Sequence, residues 1–422
     1  MACAIEEPPT SDKLRESWGL YLNTVGTYGF GSASWWWGRL AALITRLGHY
    51  VVIDIAWIFR YADDFLCLLE ISKGRTFIPL WKVLFFWEVL TVPLKWKKTL
   101  GGRQISWIGF HFDFEAETMG LSEHRASWVL NWIARVVRDK SVLGRDASRA
   151  LGRMGFAAEV LRHAKPFLAP LYSWVFSMTA GGLSQVPTAI VMVLEWIAYE
   201  VSRMPKVPML IKYIHKGELF RADAKAEGDK VVVGGWRLHP GGTRFSTWYS
   251  TELNAENAPW AFWRGAPFRS IAALELYATL LCLMLLVPEM VGGPETCVVT
   301  LGGSTDNLGN EFVIKRMMTT RMPLCLVLLE LASQMNERNT SLLLTWRRRD
   351  RNQEADDLTN NKFEAFDPAL RANVCLTDLP WRILPTFTEK AKDLWLASRD
   401  RPKKSEAAKG KKVRSSRTDD PW

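Results

Sequence analysis

The sequence predicts a mixed α+β protein built from segments in series, and three observations carry that prediction. Apolar, β-branched runs punctuated by turn residues occur at 51–70, 105–114 and 218–253. Between them, residues 122–200 keep a three- and four-residue apolar period. Past residue 213 the order is three strands, then helix, strand, helix, strand, helix, which suggests a mixed sheet covered by helices. The 422 residues are enough chain for about three domains. A composition of 48% hydrophobic and 23% charged residues excludes collagen, coiled coil and wholesale disorder.

Taken in order, VVIDIAWIFRYADDFLCLLE (51–70) reads as a β-hairpin, because two apolar runs flank Ala62-Asp63-Asp64 and leave two carboxylates at the tip. FIPLWKVLFFWEVLTVPL (77–94) and IAALELYATLLCLMLLVPEMV (271–291) are apolar enough to suggest membrane spans. Pro79, Lys82, Glu88 and Pro93 interrupt the first, and Glu275, Pro288 and Glu289 the second. Charges and prolines in such short windows favour buried core elements, so no membrane partner is expected. ISWIGFHFDF (105–114) alternates into a short strand pair. Trp128, Trp132, Ile133 and Val136 share one face of a helix, with Arg135 and Arg138 on the other. ALGRMGFAAEVLRHAKPFLAPLYSWVF (150–176) reads as helical pieces broken at Pro166 and Pro170, and Pro205 and Pro208 bracket a linker.

A new domain begins near 213 with the strands ELFRADA (218–224), KVVVGGWRL (230–238) and TRFSTWYSTEL (243–253). Ser270 is placed to cap the helix IAALELYATLLCLMLL. A strand, CVVTLGGST (297–305), ends at Asp306-Asn307. PLCLVLLELASQMNER (323–338) reads as helix, SLLLTW (341–346) as strand, and NQEADDLTN (352–360) opens a last helix. No internal repeat is visible.

The net charge of +10 is uneven: residues 401–422 hold eight Lys/Arg against three Asp/Glu, half of the total. The tail RPKKSEAAKGKKVRSSR (401–417) reads as a disordered polycation or a nuclear import signal. Arg347, Arg348, Arg349 and Arg351 make a loop suited to phosphate contact, an affinity that falls steeply with salt. Six cysteines without a CxxC pair suggest neither a zinc site nor a disulfide scaffold, and a reducing compartment. MACAIEEPPTSDK lacks the basic flank and apolar core of a secretory signal, so an intracellular location, cytoplasmic or nuclear, is expected. Core packing is the expected role of the tryptophans, Trp35 to Trp37 and Trp96 included.

Four acids sit on otherwise apolar elements. Asp223 interrupts a strand, Glu275 shares a helix face with Ile271, Ala278, Thr279 and Cys282, Asp306 ends a strand, and Asp356 opens a helix. A buried carboxylate must be protonated, paired or bound to a cation. Four converging oxygen donors suit Mg²⁺ or Mn²⁺, and two such ions support phosphodiester hydrolysis. Singly, each acid reads as a helix cap or an exposed strand end; the ordered set favours a site.

FRADAKAEGDKVVVGGW, the Glu275 helix, STDNLGN and TWRRRDRNQEADDLTN together resemble the ribonuclease H domain of retroelement polyproteins. In that family the acids come in the order Asp, Glu, Asp, Asp, the second Asp preceding Asn and the last lying within Asn-x-x-Ala-Asp. The matching positions are Asp223, Glu275, Asp306 followed by Asn307, and Asp356 within Asn352-Gln353-Glu354-Ala355-Asp356. Asp357 competes in register for the last place, but the Ala-Asp spacing favours Asp356. Many members carry a His shortly before the final Asp, where this chain has Arg347-Arg348-Arg349-Asp350-Arg351.

Tyr61-Ala62-Asp63-Asp64 resembles the catalytic hairpin of reverse transcriptases, whose two aspartates bind metal for nucleotide addition. TYGFGSASWWWGRLAALITRL (27–47) resembles the segment that holds template and nucleotide, with either Tyr28-Gly29 or Phe30-Gly31 in the aromatic-Gly place. LKWKKTLGGRQISWIGFHFD (94–113) resembles the Lys-containing turn and primer-gripping strands. ALGRMGFAAEVLRHAKPFLAPLYSW is similar to the helical join between polymerase and ribonuclease H in gypsy-like and tyrosine-recombinase retrotransposons.

The resemblance implies a partial reverse-transcriptase palm over 1–118, a helical thumb/connection over 119–212 and a ribonuclease H-like mixed β-sheet with flanking helices over 213–365, followed by a C-terminal extension with a basic tail over 366–422. It implies hydrolysis of RNA in RNA–DNA hybrids by two Mg²⁺ or Mn²⁺ ions on Asp223, Glu275, Asp306 and Asp356, with Asp63 and Asp64 as the metal-binding, catalytic pair of the polymerase part. Tyr61, Asn307, Arg347, Arg348, Arg349 and Arg351 are the implied nucleic-acid contacts, with RNA template and DNA primer as further partners. The polymerase family also carries a metal-binding Asp well upstream, whereas only Asp12 precedes Tyr28 here. The chain is therefore read as N-terminally truncated, lacking the fingers and first palm motif. Two other readings stay open: a catalytically decayed nucleic-acid-binding protein, and an RNA-directed DNA polymerase completed by another chain.

Overall fold

In the computed structural model, which describes residues 2–5, 19–22, 31–52, 56–69, 77–161, 163–203, 206–209, 211–289, 291–292 and 297–399, the chain divides into two units, Met1–Gly102 and Arg103–Trp422. Asp12, the aromatic-Gly choice at Tyr28 to Phe30, Pro205 and the tail beyond 399 lie outside the described residues.

In the first unit β1 (Ala2–Ile5) pairs antiparallel with β2 (Gly19–Leu22). Helix α1 (Gly31–Val51) precedes the expected hairpin, β3 (Ala56–Tyr61) and β4 (Asp64–Leu69). Its loop pairs Tyr61 with Asp64 and sets Ala62 at φ 52°, a left-handed conformation that costs a residue bearing a Cβ about 1–2 kcal/mol. Arg60 and the Trp37 indole both donate to the Ala62 carbonyl, at 2.8 and 3.1 Å, and hold it there. Helix α2 (Ile78–Val89) completes a small core of Ile44, Val52, Ile58, Val83 and Trp87. The expectation of a buried core element over 77–94 holds for one face of α2, with Pro79, Val83 and Trp87 buried, while Ile78, Trp81 and Phe85 are exposed. Trp35, Trp36 and Trp96 are exposed too. A core this small buries only one face of each helix.

The second unit begins with a meander, β5 (Gln104–Trp107), β6 (Phe110–Asp113) and β7 (Thr118–Leu121). Helix α3 (Glu123–Asp139) follows, burying Trp132, Ile133 and Val136 as its period predicts, with Val129 buried in place of Trp128, which is half-buried. Then come β8 (Ser141–Leu143), α4 (Gly144–Ala157), α5 (Lys165–Phe176), β9 (Leu183–Gln185), α6 (Thr188–Arg203) and β10 (Lys206–Pro208). The break between α4 and α5 precedes both prolines. Pro166 sits in the first turn of α5, where its missing N–H is not needed, and α5 runs on through Pro170. Pro208 is not in a linker either: β10 pairs with β7 at the edge of the meander, a place that tolerates a missing donor.

The remainder is β11 (Lys212–Glu227), β12 (Lys230–Arg237), β13 (Trp248–Leu253), α7 (Ile271–Leu281), β14 (Cys297–Thr305), α8 (Leu308–Arg316), α9 (Leu324–Glu337), β15 (Thr340–Trp346), α10 (Gln353–Thr359) and α11 (Leu384–Arg399). The strands form a mixed sheet in the order β13-β12-β11-β14-β15, antiparallel on one side of β11 and parallel on the other. This is the helix-flanked mixed sheet that the element order predicts. Ser270 stands at the N-cap of α7 but makes no capping bond; the short 3-10 turn Pro267–Ser270 leads into the helix instead. The apolar segment Pro267–Leu286 is long enough to cross a membrane, yet 78% of its window is buried within the protein. One hydrophobic cluster runs from Phe110 to Ala391, so helices α3 to α6 and the mixed sheet share a core.

Candidate active site

Two adjacent glycines in β12 let the helices carrying Glu275 and Asp356 close on the sheet. Successive strand residues face opposite sides. A Cβ on Gly234 would meet Leu358 Cβ of α10 at 2.9 Å, and one on Gly235 would strike Cys282, just past α7. Asp223 lies in β11 directly opposite Gly234. Glu275 lies in α7, and Asp306 directly follows β14, the parallel neighbour of β11. One carboxylate oxygen from each of Asp223, Glu275 and Asp306 lies within 4.8 Å of the others. Asp356 comes from α10, whose Thr359 hydroxyl donates to Asp223 Oδ2 at 3.4 Å. The structure thus brings three of the acids together, with the fourth beside them.

Asp223 and Glu275 are only 5% and 8% exposed. Burial, and next the charge of Asp306, pushes Asp223 up to about 7. Burial and then Asp306 push Glu275 up to about 8, against a hydrogen bond from Asn307. Burial also raises Asp306, opposed by Arg349. Glu275 Oε2 and Asp306 Oδ1 are buried acceptors with no donor among the described residues. Such atoms are rare in folded proteins unless water or an ion meets them. Three mutually repelling oxygen donors, two with an unmet lone pair, fit a divalent cation.

The arginine loop is not one uniform basic face. Arg347 donates to both oxygens of Glu218, at 2.9 and 2.6 Å, and to the Ser304 hydroxyl at 3.0 Å. Arg221 adds a bond to Glu218 at 3.0 Å and one to Glu354 at 3.4 Å. Burial alone would raise Glu218, but these donors outweigh it and hold the carboxyl below its usual range. Arg348 pairs with Asp350 at 3.3 Å, and Arg351 is exposed. Arg349 donates to Asp356 Oδ1 at 2.9 Å, while Asn360 donates to Oδ2 at 2.9 Å. Asn307 caps α8, its side chain accepting from the Asn310 N–H at 3.2 Å. Asp357 turns instead to Gln353, which donates to it at 2.9 Å.

Tyr61, Asp63 and Asp64 lie in the first unit, exposed at the hairpin tip. Among the described residues no third acid joins Asp63 and Asp64 within metal-binding reach. Sequence reasoning missed Glu218, Arg221, Asn360 and the whole of α8. It also passed over Gly234-Gly235, although glycines inside an apolar strand signal close approach by another element.

No protein-family model and no curated protein matches the chain. Similar solved structures include a foamy viral protease-reverse transcriptase in complex with double-stranded DNA, 14% identical over 72% of this chain and 48% of that one, at a TM-score of 0.32. The chain thus spans about half the length of that protein. Ribonuclease H1 from the archaeon Halobacterium salinarum is 15% identical over 36% of this chain and 98% of that one, and LC11-RNase H1 from compost is 19% identical over 36% and 96%, both at TM-score 0.22. Likeness at these identities and TM-scores assigns no activity to the chain.

Proposed function

We propose that the second unit hydrolyses the RNA strand of RNA–DNA hybrids, as the ribonuclease H part of a retroelement reverse transcriptase. Asp223, Glu275, Asp306 and Asp356 would hold two cations, Mg²⁺ or Mn²⁺. The supporting observation is the pair of donorless, buried acceptors, Glu275 Oε2 and Asp306 Oδ1, inside the three-carboxylate cluster. Bound cations supply Lewis acidity and a water of lowered pKa. The protein's own part is placement: Asn307 steadies Glu275, and Asn360 steadies Asp356. Asp223 feels the charges of both Asp306 and Asp356, so a cation would relieve the repulsion among them. Exposed Arg348 and Arg351 are the phosphate contacts, whereas Arg347 braces the loop through Glu218. Preference for a hybrid rests on helix geometry and 2′-hydroxyl contacts rather than base sequence. Asp306→Asn is expected to abolish cleavage of a labelled hybrid and leave hybrid binding intact; a variant as active as the parent removes the assignment.

The first unit favours a second reading. Trp57, Phe59 and Tyr61 are exposed along one face of β3, and no third acid joins Asp63 and Asp64 among the described residues. We infer that DNA synthesis on an RNA template needs another chain to cover that face and complete the site. Template-dependent nucleotide incorporation that survives Asp63→Asn would rule this out. Metal-independent, salt-sensitive binding without any cleavage would select the non-enzymatic alternative, a decayed nucleic-acid-binding protein.

A further inference from the structure

Asp356 differs from Glu275 and Asp306 in having a donor on each carboxylate oxygen. Its Oδ1 accepts from Arg349 and its Oδ2 from Asn360, with a longer bond from Gln353 at 3.5 Å. The two closer partners are not alike. Asn360 is fixed: Lys225 donates to its Oδ1 at 2.7 Å, which sets the amide orientation, and its Nδ2 also bonds the Asp356 carbonyl at 2.7 Å. Arg349 lies on the short turn Arg349–Arg351 with its side chain 77% exposed, so it can leave without disturbing the core. Arg347, two residues earlier, is 32% exposed and tied to Glu218 and Ser304. The two arginines therefore do different work in one loop.

We propose that Arg349 and a divalent cation compete for Asp356 Oδ1, making Arg349 a gate on the second ion of the site. The inference rests on the metal-dependent reading above. With Arg349 in place, Asp223, Glu275 and Asp306 form a three-carboxylate site in which Glu275 Oε2 and Asp306 Oδ1 are unmet, while the fourth carboxylate already has its positive charge. When the guanidinium leaves, Oδ1 is freed and Oδ2 stays bonded to Asn360, so the carboxylate keeps its orientation. A guanidinium and a metal ion on one oxygen exclude each other by both charge and space. The released, exposed side chain is then free to meet a phosphodiester.

The test is a Mn²⁺ titration of the full chain without substrate, reading free Mn²⁺ by electron paramagnetic resonance, for the parent, Arg349→Gln and Arg348→Gln. The parent is expected to bind one ion tightly and a second weakly. Loss of a cation beside a carboxylate shifts its affinity for a competing cation by about tenfold or more, so Arg349→Gln should tighten the second site by that factor and leave the first almost unchanged. Arg348→Gln makes the same change in net charge on the same loop, away from Asp356, and should match the parent. A parent-like isotherm for Arg349→Gln, or equal tightening in both variants, overturns the gate while the tight site still supports the hydrolase reading. Absence of a tight ion in every protein overturns both.

Discussion

Asp223 faces Gly234 across the β11–β12 ladder, and a side chain at Gly234 would meet Leu358, two residues from Asp356. The missing Cβ therefore sets how closely α10 lies on the sheet. Gly234→Ala should cost about 1–3 kcal/mol of stability through overpacking, measured by urea denaturation. It should also cut hybrid cleavage more than hybrid binding, because α10 carries Asp356. A stable, fully active variant would show that α10 adjusts without consequence.

Metal and pH should act on stability together. Asp223 and Glu275 are held up at about 7 and about 8 when folded. A carboxyl raised in the folded state favours folding while protonated. That stability is present in acid and is lost as pH climbs from the ordinary carboxylate range through the folded values. In chelator the melting temperature should therefore fall from mildly acidic to mildly alkaline pH. Mg²⁺ should restore it on the alkaline side and have little effect on the acid side, where the ion must displace protons. A Mg²⁺ effect equal at both ends of the range would contradict the coupling.

Glu330, buried in α9, anchors α11. Its carboxylate accepts the Ile383 and Leu384 N–H groups at 2.7 and 2.8 Å, the Arg382 N–H at 3.1 Å and the Gln334 amide at 2.8 Å. Glu330→Ala strands these donors and should destabilise the second unit by about 3 kcal/mol or more, read from denaturant midpoints. An unchanged midpoint would mean that α11 contributes little to the fold.

Arg347 and Arg348 should separate brace from contact. Arg347→Ala leaves Glu218 half-buried with fewer donors and should cost about 1–2 kcal/mol after discounting for solvent. Arg348→Ala should change stability by less than about 0.5 kcal/mol but flatten the salt dependence of hybrid binding. The reverse pattern would exchange their roles.

The three acids that the structure brings together, Asp223, Glu275 and Asp306, were legible because each interrupts or ends an apolar element, whereas Asp356 on the polar α10 came from the resemblance. The mixed sheet was legible from the change of period near 213. Helix α8 was not, because LGNEFVIKR lacks an apolar stripe and its clearest signal is the Asn307 cap. Pro166 misled because a proline in the first turn of a helix is tolerated, and α5 runs on through Pro170 in its interior as well. The exposed face of α2 could not be foreseen, since a helix apolar almost all round says nothing about which side finds a partner. The Glu330–Arg382 contact and the Glu218–Arg347 brace join residues 52 and 129 positions apart, pairings that only the fold creates.

The most direct measurement is cleavage of a labelled RNA–DNA hybrid by the full chain, with Mg²⁺, with Mn²⁺ and with chelator, beside single-stranded RNA and duplex DNA. Cutting confined to the RNA of the hybrid, abolished by chelator, is the predicted result. Salt-dependent binding with no cutting under any metal would contradict the hydrolase and leave affinity for nucleic acid as the surviving property.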